Sequence, residues 1–139
     1  MYPRINSLYS KHNRSDSATY IADKYTPAYP RHTRDPAIWG PHLWNYLHYS
    51  AANFPEYPTE EEIEKMYHWL CTLHVTMPCG ECSKHYQGHI NRNRSRLRSI
   101  CSRRDSLFRF LVDIHNDVNK RNGKPIMRYQ DAKERYGCN

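Results

Sequence analysis

The sequence predicts an all-α protein, a four-helix bundle with a short fifth helix. Two observations carry this prediction. Apolar residues recur at helical spacing in four separate stretches, and no stretch shows the alternation that is typical of a β-strand. The chain has 139 residues, enough for one helical domain with a single core. We divide it into a polar extension, residues 1–36, rich in Tyr, Arg and Ser and poor in aliphatic residues, and a helical domain, residues 37–139.

The first two helices have clear boundaries in the sequence. Apolar residues at helical spacing predict the first helix from Pro41 to Asn53, and the following Phe54-Pro55 ends it. The second helix should begin at Thr59, whose hydroxyl caps the helix while Glu62 reaches back three residues. It continues toward residue 75, and Pro78 separates it from the third helix.

The remaining helices are interrupted by a run of basic residues. A short third helix starts near Cys79 and ends after Ile90, and we expect residues 92–104 to be a solvated loop. The fourth helix opens between residues 102 and 105 and reaches Asn119, with Gly123 supplying a stop signal. The short fifth helix covers about residues 129–136.

The charge of the chain raises a nucleic-acid-binding alternative. Lys and Arg number 21 against 14 Asp and Glu, a net charge of +7, and the chain has 12 tyrosines. Much of the excess lies in one run: Arg92, Arg94, Arg96, Arg98, Arg103 and Arg104. Basic runs bind phosphate backbones and aromatic rings stack on bases. No recognised nucleic-acid motif is present, so this remains the alternative reading.

Hydropathy and cysteine usage indicate the kind of compartment. No apolar run approaches the roughly 20 residues that span a bilayer, and no apolar N-terminal segment resembles a signal peptide. We therefore expect a soluble, unsecreted protein without membrane contact. An odd number of cysteines does not read as a disulfide scaffold; they are Cys71, Cys79, Cys82, Cys101 and Cys138.

The Cys-x-x-Cys formed by Cys79 and Cys82 is the most informative motif. Its spacing allows a tight disulfide, and a helix start stabilises the thiolate of the first sulfur. The alternative is a zinc-binding structural adaptor that uses these cysteines with His85 and His89. On one helix Cys79 and His89 would lie about 15 Å apart, whereas zinc needs every ligand within about 2.3 Å. Redox chemistry is thus favoured, and we predict no metal site.

Two polar groups suit a flat aromatic cofactor, which a dithiol in a helical bundle needs as an electron sink. In the first, Trp44 and His48 lie one turn apart after Trp39-Gly40. In the second, His115 and Asn119 share a helix face. Each group alone has an ordinary structural explanation. The first could be a tryptophan packed in the core, and the second could be polar residues on a solvated side of a helix.

Three motifs together resemble the FAD-linked sulfhydryl oxidases of the Erv/ALR family. They are Trp39-Gly40-x3-Trp44-x3-His48, Pro78-Cys79-Gly80-Glu81-Cys82-x2-His85-Tyr86 and His115-Asn116-Asp117-Val118-Asn119, in the family's order and at similar separations. The resemblance implies FAD held within the bundle and, usually, a homodimer. It also implies a thiol oxidase that generates disulfides in protein dithiols and passes electrons to oxygen, giving hydrogen peroxide.

The resemblance also implies the roles of individual residues. Cys82 would be the sulfur next to the isoalloxazine, and Cys79 would exchange with incoming thiols. Arg121 and Lys124 would meet the cofactor phosphates, and Tyr136 would cover the adenine end. The residues expected to bind FAD are Trp39, Gly40, Trp44, His48, Tyr86, His115, Asn116, Val118, Asn119, Arg121, Lys124 and Tyr136.

The sequence departs from cellular family members in ways that indicate a compact viral form. Val112 and Tyr129 occupy the positions of a structural disulfide that cellular members often have, and no cysteine precedes Cys71 as an N-terminal shuttle. We expect the protein substrate to be a thioredoxin-like or Cys-pair carrier that reaches Cys79 directly, with Cys138 not required as a relay. The expected location is the host cytoplasm or virion, with the mitochondrial intermembrane space as the alternative.

Overall fold

A computed structural model describes residues 34–138, which form six α-helices, one 3-10 turn and no β-strand. The helices are α1 Pro36–Ala52, α2 Glu60–Thr72, α3 Gly80–Arg92, α4 Arg94–Cys101, α5 Arg104–Arg121 and α6 Tyr129–Tyr136, with the 3-10 turn Leu73–Thr76 between α2 and α3. The all-α prediction is confirmed. The predicted extension, residues 1–36, lies outside the described residues except for residues 34–36. Across the described residues no helix combines the length and apolar character needed to cross a bilayer.

The first helix begins earlier than the sequence suggested. It starts at Pro36 rather than Pro41, because the Asp35 carboxylate accepts a hydrogen bond from the Ala37 N–H at 2.9 Å and proline suits the first helical position. The predicted start at Pro41 was wrong: this proline lies inside the helix. The cap of α2 is as predicted, since the Thr59 N–H donates to Glu62 Oε2 at 2.8 Å and Thr59 Oγ1 accepts from the Glu62 N–H at 3.3 Å.

The arginine run is a helix, and the prediction of a solvated loop was wrong. In α4 the residues Leu97, Ile100 and Cys101 are buried, a spacing that gives one apolar stripe within only eight residues. Two arginines of the run have partners within the protein. Arg98 binds Glu60 at 2.7 Å and also Glu64, and Arg104 Nε donates to the Phe54 carbonyl at 2.5 Å.

The main core lies between α1 and α5, where Leu47, Phe108 and Leu111 are fully buried. Helix α6 is held on α5 by a polar cluster. The Tyr129 hydroxyl donates to Asp105 Oδ1 at 2.7 Å, and the Arg109 guanidinium stacks on the Tyr129 ring at 3.8 Å. These contacts fasten the C-terminal helix at the position where the resemblance places a disulfide in cellular members.

Burial of α4 predicts a mutational contrast. Leu97→Ala should lower the free energy of unfolding by about 2–5 kcal/mol, because Leu97 is fully buried and the substitution leaves a cavity. Arg96→Ala, on the exposed side of the same helix, should change it by no more than about 0.5 kcal/mol. Urea denaturation of both variants measures the difference. Equal, small effects would mean that residues 94–101 do not pack as a helix on the core.

Candidate active site

One large cavity lies between α1, α3, α5 and the segment that leads into α6. Its volume is about 930 Å³, which is within the range of cofactor pockets. Eleven of the sequence-predicted site residues line it: Trp39, Gly40, Trp44, Cys82, Tyr86, His115, Val118, Asn119, Arg121, Lys124 and Tyr136. The other three, His48, Asn116 and Cys79, do not line the cavity.

An aromatic stack forms one wall of the cavity. The rings of Trp44 on α1 and His115 on α5 lie parallel, with centroids 4.1 Å apart and planes 4° apart. Behind them His48 is fully buried, and its Nε2 lies 2.9 Å from His115 Nδ1. The Tyr136 ring packs against His48 at 4.7 Å, so α6 closes over the same group. Trp44 and His115 therefore stack face to face, and the buried His48 supports the pair from the core side.

Both histidines are kept neutral by their surroundings. Burial lowers the pKa of His48 to about 3, with further lowering by His115 and Arg135. Burial, followed by the charges of Lys124 and Arg135, lowers the pKa of His115 to about 4. At neutral pH a single proton must then lie between His48 Nε2 and His115 Nδ1.

The position of that proton can be assigned from the remaining ring atom. His48 Nδ1 is buried without a hydrogen-bond partner among the described residues. A buried N–H without a partner is rarer in proteins than a buried acceptor without one. We therefore assign the shared proton to His48 Nε2, which leaves Nδ1 as an acceptor and places the N–H of His115 on its Nε2.

Asn116 fixes the segment that covers the cavity. Its Nδ2 donates to the Met127 carbonyl at 2.8 Å, and its Oδ1 accepts from the Met127 N–H at 2.9 Å. This pair of bonds holds the chain between α5 and α6, which supplies Lys124, Pro125 and Ile126 to the cavity lining. Asn116 thus positions residues that line the cavity without lining it itself. Direct contact of Asn116 with a cofactor stays a prediction.

The Cys-x-x-Cys sits at the start of α3, where the sequence predicted it. Cys79 and Cys82 are joined by a disulfide, with Cα atoms 5.2 Å apart. Cys79 is the N-cap residue, and its Sγ accepts a hydrogen bond from the Cys82 N–H at 3.2 Å. After reduction the same N–H and the helix start would stabilise a Cys79 thiolate.

Helix α3 turns its two cysteines toward different surroundings. Cys82, Tyr86 and His89, spaced for one helix face, all line the cavity. Cys79, Ser83 and Gln87 lie at i, i+4 and i+8 on a neighbouring face, and Ser83 Oγ donates to the His74 carbonyl at 2.9 Å. One sulfur therefore faces the cavity, and the other lies on the side of the 3-10 turn.

Sequence reasoning missed several residues of the cavity. His89, considered only as a zinc ligand, lines the cavity, and its Nε2 lies 3.0 Å from Asp117 Oδ2, an ion-pair distance that links α3 to α5. Its position seven residues after Cys82 could have revealed this, since both then share a helix face. Arg135 joins Arg121 and Lys124 in the lining. Three cations give the cavity a region suited to an anionic group.

The other cysteines lie outside the cavity lining. Cys101 and Cys138 are buried and Cys71 is half-buried. Burial raises the pKa of Cys101 to about 12 and also raises the pKa of Cys138. Both thiols are therefore poor nucleophiles, because the thiolate is the reactive form. Cys138 packs into the core, with 1% of its surface exposed.

The two alternative functions find little support in the geometry. Among residues 34–138 no group of three or more His, Cys, Asp or Glu side chains could hold a metal ion, and Cys79 is bonded to Cys82. A zinc adaptor would lack its ligand set in this part of the chain. The arginines proposed to bind nucleic acid are largely occupied, as Arg94, Arg98 and Arg104 bind groups of the protein itself.

Comparison with known proteins identifies relatives of this chain. The profile of the Erv1 / Alr family matches residues 41–137. A protein of Invertebrate iridescent virus 6 that is named as an FAD-linked sulfhydryl oxidase is 33% identical over 105 residues, which span 73% of this chain and 95% of the viral protein. The FAD-linked sulfhydryl oxidase of African swine fever virus is 30% identical over 98 residues, spanning 70% of this chain and 79% of that protein.

Solved structures share the fold. The crystal structure of the yeast Erv1 core has a TM-score of 0.69 and 26% identity, covering 82% of this chain and 94% of the yeast chain. The FAD binding domain of Erv1 from Saccharomyces cerevisiae has a TM-score of 0.64 and 29% identity, covering 70% of this chain and 89% of that domain.

The lowered pKa values of His48 and His115 predict that stability falls on mild acidification. Between pH 6.5 and 5 the unfolded chain takes up protons on these histidines while the folded chain does not. The free energy of unfolding should therefore fall with pH at up to about 1.4 kcal/mol per pH unit for each histidine, approaching that slope below pH 6.5. Urea denaturation across this range measures the slope, and His48→Gln should make it shallower. A flat profile would contradict a neutral buried pair.

Proposed function

The chain belongs to the Erv1 / Alr family, and we infer that it is an FAD-linked thiol oxidase that generates disulfides in protein substrates. Electrons would pass to oxygen, giving hydrogen peroxide. One observation carries this function. The Cys79–Cys82 disulfide lies at the edge of a cavity of about 930 Å³, and Cys82 is the member of the pair that lines it.

The cavity residues fit FAD in chemistry as well as in size. A flat isoalloxazine suits an outer face of the stacked pair of Trp44 and His115, whose rings lie 4.1 Å apart in parallel planes. The cofactor phosphates suit the cations Arg121, Lys124 and Arg135. The remaining predicted contacts would come from Trp39, Gly40, Tyr86, Val118, Asn119 and Tyr136, with His48 and Asn116 supporting them from behind.

The first half of the reaction is carried by the protein's own cysteines. A substrate thiolate attacks Cys79 Sγ, the Cys79–Cys82 bond breaks, and Cys82 leaves as a thiolate. The second substrate thiolate then attacks the substrate sulfur of the mixed disulfide, which forms the substrate disulfide and releases Cys79. When bound, FAD would supply the acceptor for the electron pair left on the two cysteines, with oxygen as the final acceptor. The Cys82 N–H, 3.2 Å from Cys79 Sγ, stabilises Cys79 whenever it is a thiolate.

We propose that the enzyme is a homodimer. Tyr46 and Tyr49 on α1 expose 62% and 51% of their surface, and the Tyr46 ring packs edge-on against Trp69 of α2 at 6.1 Å. Exposed aromatic rings of this kind are typical of protein interfaces. Light scattering should give twice the chain mass of 16.7 kDa. A monomer at micromolar concentration would count against this assembly.

The substrate we propose is a thioredoxin-like or Cys-pair carrier protein. Neither Cys101 nor Cys138 is placed to relay electrons, because both are buried outside the cavity lining. The viral relatives support an origin in a large DNA virus, and thus a location in the host cytoplasm or virion rather than the mitochondrial intermembrane space. Immunogold labelling of infected cells distinguishes these locations. Label within mitochondria would overturn the proposed location in the host cytoplasm or virion.

The central test of this function is the absorbance spectrum of the purified protein. It should be yellow, with one non-covalent FAD per chain, and should consume oxygen when given a small dithiol. Trp44→Ala should lose FAD and melt at a lower temperature, since a ligand bound only to the folded state stabilises it. A folded, colourless protein that stays free of flavin when FAD is added would contradict the assignment.

Substitution of the two proposed catalytic cysteines should have different effects on activity and absorbance. Cys79→Ser removes the entry sulfur but keeps Cys82 at the cavity, so turnover should stop while a long-wavelength thiolate-to-flavin absorbance appears. Cys82→Ser should be inactive without that absorbance. Cys138→Ser is the matched control and should retain turnover, because its thiol is buried away from the cavity. The absorbance in Cys82→Ser and not in Cys79→Ser would reverse the two roles.

A further inference from the structure

The 3-10 turn before the catalytic disulfide presents an apolar side chain to solvent. Val75 is 75% exposed, the largest exposed fraction among the large hydrophobic side chains of residues 34–138. It lies four residues before Cys79, and Pro78 between them is also exposed. An isolated exposed valine needs no explanation on its own. The way the turn is held makes this one informative.

The turn is held firmly by polar contacts centred on His74. Its Nδ1 lies 3.0 Å from the Cys71 carbonyl, its own carbonyl accepts from Ser83 Oγ at 2.9 Å, and its Nε2 lies 3.3 Å from Gln87 Nε2. Thr76 Oγ1 also donates to the Leu73 carbonyl at 2.9 Å, inside the turn. These contacts fix the backbone of the turn in a conformation that leaves the Val75 side chain exposed to solvent.

The contacts also fix which side of α3 the turn occupies. Ser83 and Gln87 follow Cys79 at intervals of four residues, so the turn lies along the helix face that begins with Cys79. The face of Cys82 points instead into the cavity. Val75 thus belongs to a turn that packs along the row of α3 residues beginning with Cys79, the cysteine that does not line the cavity.

We propose that the surface formed by Val75 and Pro78 is the docking site for the substrate segment that flanks the reacting cysteine, and that it selects segments with apolar neighbours. This inference rests on the proposed function only for the identity of the substrate. A mixed disulfide brings the Cβ atoms of its two cysteines to within about 4 Å, so the residues beside the substrate cysteine must lie over the residues beside Cys79. An apolar neighbour would bury the exposed Val75 and Pro78 side chains.

The test measures thiol exchange without turnover. In a Cys82→Ser background the Cys79 thiolate attacks a peptide cysteine that carries 5-thio-2-nitrobenzoate, forming the peptide–Cys79 disulfide and releasing the coloured thiolate. Two peptides are compared, with Leu or with Asp on both sides of the cysteine. A Cys79→Ser, Cys82→Ser variant supplies the background from Cys71. Because no flavin step is involved, the result is independent of whether the oxidase function holds.

Val75→Asp should slow the reaction of the Leu peptide about fivefold, the effect of half-burying one valine. Val75→Ile should retain the rate. Tyr57→Asp is the matched control and should leave the rate unchanged. Tyr57 is similarly exposed, at 71%, but lies beside Arg103, the residue that precedes α5. An unchanged rate in Val75→Asp, or equal slowing by Tyr57→Asp, would overturn the proposal. Equal slowing of the Leu and Asp peptides by Val75→Asp would also overturn it.

Discussion

The contact between α1 and α5 through Trp44, His115 and His48 is the constraint on which the rest of the site depends. Parallel stacking at 4.1 Å sets the separation of the two helices, and the 2.9 Å contact between the histidines sets their register. The arrangement requires neutral rings, which burial provides by lowering both histidine pKa values. The cavity wall is thereby built from residues of the core, and the C-terminal helix closes on it through the ring of Tyr136.

Helix α3 connects this wall to the substrate. It places Cys82 in the cavity lining and Cys79 at its N-cap, next to the pinned 3-10 turn. The close approach of His89 Nε2 to Asp117 Oδ2, at 3.0 Å, links the same helix to α5, so the disulfide and the aromatic wall are held by one connected set of contacts. Only Cys82 of the bonded pair lines the cavity, and this difference supports the proposed division of roles between the two sulfurs.

Much of the fold and the site could be predicted from local patterns. Capping of α2 by Thr59 and Glu62 follows from adjacent residues, as does the helix start at Cys79. Helix α4 was missed because its three buried residues are interleaved with three arginines, and the partner of Arg98, Glu60, lies far away in sequence. For the same reason the pair of hydrogen bonds between Asn116 and Met127 could not be predicted from the sequence. The place of Arg135 in the cavity lining likewise emerges only from tertiary contacts. The Tyr129–Asp105 contact likewise has no signature in the sequence.

The site depends above all on the contact of Trp44, His48 and His115 being part of the protein core. Hydrogen exchange of the enzyme before and after removal of FAD tests this most directly. Backbone amides of residues 44–48 in α1 and 111–115 in α5 should remain among the slowest to exchange in both forms, because their side chains pack in the core. Fast exchange of these two segments in the flavin-free protein, at rates typical of helix ends, would contradict the account.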